Sequence, residues 1–128
     1  MKKYTIHEDD VAAKKLEGRE HKMVIQPATM NAKNMCAGTA FFPLNGKAPP
    51  HVHQKEEEIL YVLSGEGRMY FNGVAEELVP GTFMYVPQGI EHRIMPVSPE
   101  GLKVFYVFSP PVIQGSYEKK NDANQEES

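Results

Sequence analysis

The stretch PHVHQKEEE at positions 50–58 sets two histidines one residue apart and follows them with three glutamates. Neutral imidazoles and carboxylates are the donor types that hold a transition-metal ion. Side chains alternate across a strand, so His51 and His53 project from one face. Gln54 to Glu57 suits a short turn. If the strand that starts at Glu58 pairs antiparallel with the histidine segment, Glu58 faces the same interior. Leu60 and Val62 share its face, which puts the carboxylate beside apolar side chains. A buried carboxylate there requires a partner, and a divalent cation supplies one. Glu58 is the preferred donor, yet parity does not settle it. Glu56 shares its face, and Ile59, Tyr61 and Leu63 make the Glu57 side apolar as well. His92 follows the turn Pro87-Gln88-Gly89 at the start of another apolar strand and offers a further nitrogen. A lone His-x-His is more often decoration near a turn, so the two segments together carry the metal reading.

The elements that must position these residues are short. KMVIQP (22–27), MCAGTAFF (35–42), EILYVL (58–63), RMYF (68–71), FMYV (83–86), HRIM (92–95) and LKVFYVF (102–108) read as strands rich in Val, Ile, Tyr and Phe. Asn45-Gly46, Asn72-Gly73, Pro80-Gly81 and Ser98-Pro99-Glu100-Gly101 punctuate them. Asn72-Gly73 predicts a type I′ hairpin, because both residues tolerate positive φ. This pattern predicts an all-β sandwich or barrel. Residues 1–20 are charged and carry little core. They predict either an extended arm or a short helix, with Thr5 and Glu8 at capping-box spacing and Gly18 at its end. Residues 21–116 form the domain, and the polar tail at 117–128 is expected to be disordered.

Bulk properties exclude several classes. The chain has 128 residues, 41% of them apolar, and a net charge of -3. That is one domain with one core. Basic residues form no stripe, so no nucleic acid is expected as partner. The longest apolar runs, such as VFYVF at 104–108, fall far short of the roughly 20 residues that span a bilayer. MKKYTIHEDD has no apolar region after its lysines, so no secretory signal is expected. Cys36 is the single cysteine, which fits a reducing cytoplasm.

The residues also resemble the cupin superfamily. Its first motif is G, five residues, H-x-H, three or four residues, E, six residues, G. Here the match is GKAPPHVHQKEEEILYVLSG, from Gly46 to Gly65, with four residues rather than five before His51. The second motif is G, five residues, P-x-G, two residues, H, three residues, N. Here it is GTFMYVPQGIEHRIMP, from Gly81 to Pro96, with Pro96 in place of the asparagine. The resemblance implies a double-stranded β-helix, closed as a jelly-roll barrel, preceded by the N-terminal arm or helix. It implies one divalent metal (Mn, Fe, Co, Ni, Cu or Zn) held by His51, His53, Glu58 and His92. It also implies a homodimer, formed through the N-terminal strand HKMVIQP.

The face inward of these ligands is expected to be lined by Leu60, Val62, Met84, Val86 and Ile94, with Tyr106 as a further pocket residue. Either Met69 and Phe71 or Arg68 and Tyr70 also point inward. Tyr61, Arg68, Tyr85, Tyr106 and Gln114 are possible acid/base groups, though strands are rich in tyrosine for structural reasons. His7 and His21 are expected at the surface. An apolar lining disfavours a free sugar and suits a small acid, an aromatic or a diketone-like chelator. The resulting expectation is a metal-dependent enzyme performing oxygenation, decarboxylation, isomerisation or lyase chemistry. The alternatives are a non-catalytic, metal-assisted binder of small molecules and a metal-free member of the family.

Overall fold

Alternation of apolar and polar residues over short, turn-bounded runs builds two antiparallel sheets. A computed structural model describes residues 3–112. Its strands are β1 (Lys14–Leu16), β2 (Arg19–Ile25), β3 (Cys36–Phe42), β4 (His51–Val52), β5 (Glu57–Ser64), β6 (Gly67–Phe71), β7 (Val74–Leu78), β8 (Phe83–Val86), β9 (Glu91–Pro96) and β10 (Leu102–Ser109). A one-turn helix, α1 (Pro27–Met30), follows β2. The larger sheet has the order β1-β2-β3-β10-β5-β8, and the smaller β4-β9-β6-β7. Their inner faces share one core, with Val62, Val104, Tyr106 and Phe108 from the larger sheet and Met69, Leu78 and Ile94 from the smaller. β10 shows the period cleanly: Leu102, Val104, Tyr106 and Phe108 are buried, and Phe105 is exposed.

The closed jelly-roll barrel that the resemblance implies does not form. Neither sheet closes on itself. β1 and β8 are open edges of the larger sheet, and β4 and β7 of the smaller. The reason lies in the lengths and partners of the edge strands. β4 has two residues and pairs only with β9, while β8 pairs with β5 and no strand of the other sheet. The sheets therefore meet through side chains rather than through a continuous hydrogen-bond ladder. β7 keeps its edge soluble with Glu76 and Glu77. It was illegible as a strand, because VAEEL has little β propensity, although the hairpin signal before it was sound. Asn72 and Gly73 have φ of 49° and 85°, and Phe71 pairs with Val74 across them.

The N-terminal segment is neither a plain arm nor the expected helix. Glu8–Asp10 make a single 3-10 turn, capped by His7 rather than Thr5. The Glu8 carboxylate accepts from Lys103 Nζ and Thr39 Oγ1, each at 2.9 Å, and these bonds hold its carboxyl below the usual range. Lys14–Leu16 then fold back as β1 against Arg19–His21. That hairpin covers Arg19–His21 on the outer edge of β2 and pairs with only His21 of the HKMVIQP segment. The tail expected at 117–128, with Gln114, lies outside the described residues.

Two close approaches fix the layers. Gly65 turns β5 into β6 at φ 84°, and a Cβ there would strike the carbonyl of Gly101. Gly38 on β3 sits opposite Met23 and Tyr106, and a Cβ there would press on the Lys22 carbonyl and the Tyr106 hydroxyl. Gly38→Ala is therefore expected to destabilise the fold by about 1–3 kcal/mol, read as a lower urea midpoint at an unchanged slope. An unshifted midpoint would mean that β2 and β3 are not held this closely.

Candidate metal centre

The donors come from both sheets. β4 pairs antiparallel with β9, which sets His51 directly opposite His92. The Gly89 amide, in the turn before β9, donates to the His53 carbonyl at 2.9 Å and pins His53 beside His92. Glu58 arrives from the other sheet, where it pairs with Val86 and Phe108. The antiparallel pairing expected between the histidine segment and the Glu58 strand is absent; they face each other across the core. Parity resolves as well. Glu58 is buried, whereas Glu57 is exposed and accepts from the Tyr85 hydroxyl at 3.2 Å.

His53, Glu58 and His92 are 3%, 6% and 5% exposed, and each presents one ligand atom within 4.8 Å of the others. Glu58 Oε1 lies 3.4 Å from His92 Nε2 and 3.6 Å from His53 Nε2. His92 Nδ1 is 3.2 Å from the Ile90 carbonyl, a bond the ring makes only as donor, which leaves the lone pair on Nε2. The ring of Phe108 stands edge-on to His53 at 4.8 Å and keeps water away. Burial drives the His53 pKa down to about 3, with His92, His51 and His21 adding to the effect. Burial likewise raises that of Glu58, against the opposing pull of His92. Among the described residues nothing donates a hydrogen bond to Glu58 Oε1. Imidazole nitrogens and a carboxylate oxygen converging in a buried space fit a divalent transition ion. The cluster is a single site suited to one such metal.

His51, the fourth expected ligand, stands beside this group and outside it. Its ring centroid is 6.2 Å from that of His53 and 5.9 Å from that of His92. Its Nε2 accepts from Arg19 Nη2 at 2.8 Å. Of the expected pocket residues, Leu60, Ile94 and Tyr106 line the cavity with the donors, and Val62, Met84 and Val86 are packed in the core behind. Met69 points inward, and Arg68 pairs outward with Glu77 at 3.0 Å. The reading from sequence missed Arg19 and placed His21 at the surface, whereas the structure buries it. Both are buried in the cavity wall, and His21 Nδ1 lies 3.3 Å from the Tyr106 hydroxyl. Their signal was parity: in REHKMVI they share a face with the core residue Met23.

A family model described as "Cupin domain" matches residues 39–108. An uncharacterised protein of Methanocaldococcus jannaschii is 26% identical over 95 residues, 74% of this chain and 76% of its own length. The structure of KdgF from Halomonas sp. superposes with a TM-score of 0.68 at 25% identity, covering 80% of this chain and 90% of that one. The polyketide cyclase RemF from Streptomyces resistomycificus does so with a TM-score of 0.72 at 26% identity, covering 84% and 79%.

The pKa shifts carry a signed prediction for the metal-free protein. Unfolded, His53 takes its proton near pH 6.5; folded, only near 3. Between those values the unfolded state holds more protons, so His53 erodes stability as pH falls through that window. Glu58 has the opposite sign. Its raised pKa keeps a proton in the folded state above its ordinary 4.5, which weakens the fold as pH rises past that value. In EDTA, His53→Gln should lose less stability than the wild type as pH falls from about 6.5 to 3, and Glu58→Gln should gain relative to it above 4.5. Urea midpoints across that range test both signs, and parallel curves would contradict them.

Proposed function

Because the chain belongs to the cupin-domain family, we propose that it is a metal-dependent enzyme acting on a small organic substrate that chelates the ion. The buried triad and the likeness to catalytic cupins support enzymatic activity. The observation that carries the reading is the buried Glu58 oxygen, 3.4 and 3.6 Å from two imidazole nitrogens. His53, Glu58 and His92 would hold the ion, and His51 would turn from Arg19 to join them. A bound ion would supply Lewis acidity toward a chelating oxygen, and electron transfer if it is iron, manganese or copper. Leu60, Met69 and Ile94 give the cavity an apolar wall. His21 and Tyr106, bonded on the facing wall, are placed to pass a proton, which suits decarboxylation, isomerisation or lyase chemistry. Among the described residues no helix is long and apolar enough to cross a membrane. The single cysteine, Cys36, leaves the chain without an internal disulfide, which supports a reducing cytoplasm as the setting.

We further propose that the protein is a homodimer, formed through the outer face of the larger sheet. Phe41, Ile59, Leu63, Phe83, Tyr85 and Phe105 are exposed there, Phe83 by 73% and Tyr85 by 56%. Register makes the patch continuous: Phe105 pairs with Tyr61, Tyr61 with Phe83, and Ile59 with Tyr85. These six leave about 600 Å² open, against the roughly 800 Å² per partner of a standard interface. A second copy meets this flat aromatic face with its own, an isologous contact. The chain past Tyr117, EKKNDANQEES, has no apolar residues to match it beyond one alanine.

The purified protein is expected to hold close to one transition-metal ion per chain by elemental analysis. It should turn over a member of a panel of small carboxylic acids and β-dicarbonyls. His53→Ala and His92→Ala should lose both metal and turnover; retained metal in those variants would mean the site is elsewhere. Ligand uptake without product would favour the non-catalytic binder. In sedimentation, the wild type is expected to run as a dimer and Phe83→Glu as a monomer with its metal intact. A monomeric wild type, or an unchanged variant, would count against this interface.

A further inference from the structure

The metal centre lies in a cavity of about 30 Å³, room for little more than one water. A single ion fills it, so a substrate that chelates the ion has no space until part of the wall moves. Most of that wall is held by main-chain ladders. Among the described residues that line the cavity, all but His53 and Ala48 lie in strands. The His53 carbonyl is bound by the Gly89 amide. Ala48 sits in 43–50, the segment between β3 and β4, which belongs to neither sheet. Pro43, Pro49 and Pro50 have no amide proton to give a ladder, which keeps the segment out of both. Its own backbone carries a turn bond, from the Gly46 amide to the Pro43 carbonyl at 2.9 Å. The segment is one chain thick: Ala48 is 6% exposed, while Leu44, Asn45, Lys47 and Pro50 around it are exposed.

The turn of the β1–β2 hairpin holds this segment down. Gly18 in that turn has φ of 76°, and a Cβ there would strike the Ala48 amide nitrogen and the Lys47 carbonyl carbon. From the other side, a Cβ on Gly46 would meet the Gly18 carbonyl oxygen at 2.5 Å. Two glycines thus let two stretches of backbone touch. The hairpin side of the contact is fixed, because β2 is paired with β1 on one side and β3 on the other. We propose that residues 44–50 are the gate of the metal centre: they swing off Gly18 and carry Ala48 out of the wall to admit the ion and a chelating substrate. This rests on reading His53, Glu58 and His92 as the metal centre, and it goes beyond that reading by assigning the route of entry. Opening here uncovers one alanine methyl and one backbone contact. Parting the sheets instead would expose the core around Val62, Val104 and Phe108, a far larger apolar area.

The test follows the release of cobalt(II) from loaded protein into excess EDTA by loss of the d–d spectrum. Gly46→Ala puts a methyl against the Gly18 carbonyl at a position that has no left-handed backbone. It should speed release about tenfold, because a methyl forced into a packed contact weakens the closed state. Association of acetohydroxamate, a small bidentate chelator, should speed up by the same factor. Gly18→Ala presses on the same contact from the hairpin side and should act in the same direction. Cobalt content at saturation should match the wild type in both variants. In the wild type, release should be insensitive to urea below the unfolding transition, since lifting a short segment exposes little surface. Release from Gly46→Ala within about twofold of the wild-type rate would overturn the gate. So would wild-type release that rises with urea in step with global unfolding, a result that stands even where neither variant folds. Failure of the wild type to take up cobalt would overturn the metal reading itself, and this inference with it. Loaded protein with unchanged release overturns the gate alone.

Discussion

Three electron-rich atoms, two imidazole nitrogens and one carboxylate oxygen, are held together in the buried interior. In the absence of a cation the arrangement costs free energy, since burial drives His53 toward neutrality and Glu58 toward its protonated form. A fold keeps such a cluster only if other interactions fix its members. Here the backbone does so: the His51–His92 pairing, the Gly89 amide on the His53 carbonyl and the ladders on both sides of Glu58 are main-chain bonds. The side chains need only follow from the strands that carry them. Such a site binds an ion without rebuilding itself, which is the preorganisation that a metal centre needs.

The two sheets divide this work. The smaller one supplies the histidines from β9 and the segment around β4, and the larger one supplies Glu58. Because the sheets meet only through side chains, their spacing is set by core packing and by the glycines that allow close approach. Gly38 brings Tyr106 within reach of His21 and Met23, and Gly65 closes β5 onto β6 at the level of Gly101. A shift of either layer would move Glu58 relative to the imidazoles, so the geometry of the site is a readout of packing across the whole core.

Much of this was legible in the residues, and the losses have physical causes. Seven of the ten strands show as runs of β-branched and aromatic residues, and of the four expected donors three, His53, Glu58 and His92, gather in one buried cluster. Parity could not choose Glu58 over Glu57, because β5 is apolar on both faces. The structure shows why: its outer face carries Ile59, Tyr61 and Leu63 as an exposed patch rather than as core. The partner of each donor was beyond local reasoning. The histidine segment and Glu58 are near in sequence and look like a hairpin, yet they belong to opposite sheets. The closed barrel implied by the resemblance fails at the edges, where two residues of β4 cannot extend a ladder. Arg19 and His21 were passed over because charged residues near a terminus are usually solvated. Their alternation with Met23 was the clue that outweighed composition.

β10 ties the inner and outer chemistry of the protein together. Tyr106 and Phe108 point inward, one bonded to His21 and the other edge-on to His53, while Phe105 between them points out into the aromatic patch. The strand also lies at the middle of the larger sheet, paired on one side with β3 and on the other with β5. A sheet clamped on its outer face would keep little freedom to twist about that central strand. The wall opposite the histidines is then held more firmly. An exposed aromatic face is a liability in a monomer. Packed against a second copy, the same face would stiffen the strand that positions Tyr106, Phe108 and, through the β5 ladder, Glu58. In such a dimer the apolar residues on the outside of β5, β8 and β10 would serve the same end as those inside: keeping one carboxylate aimed at two imidazoles.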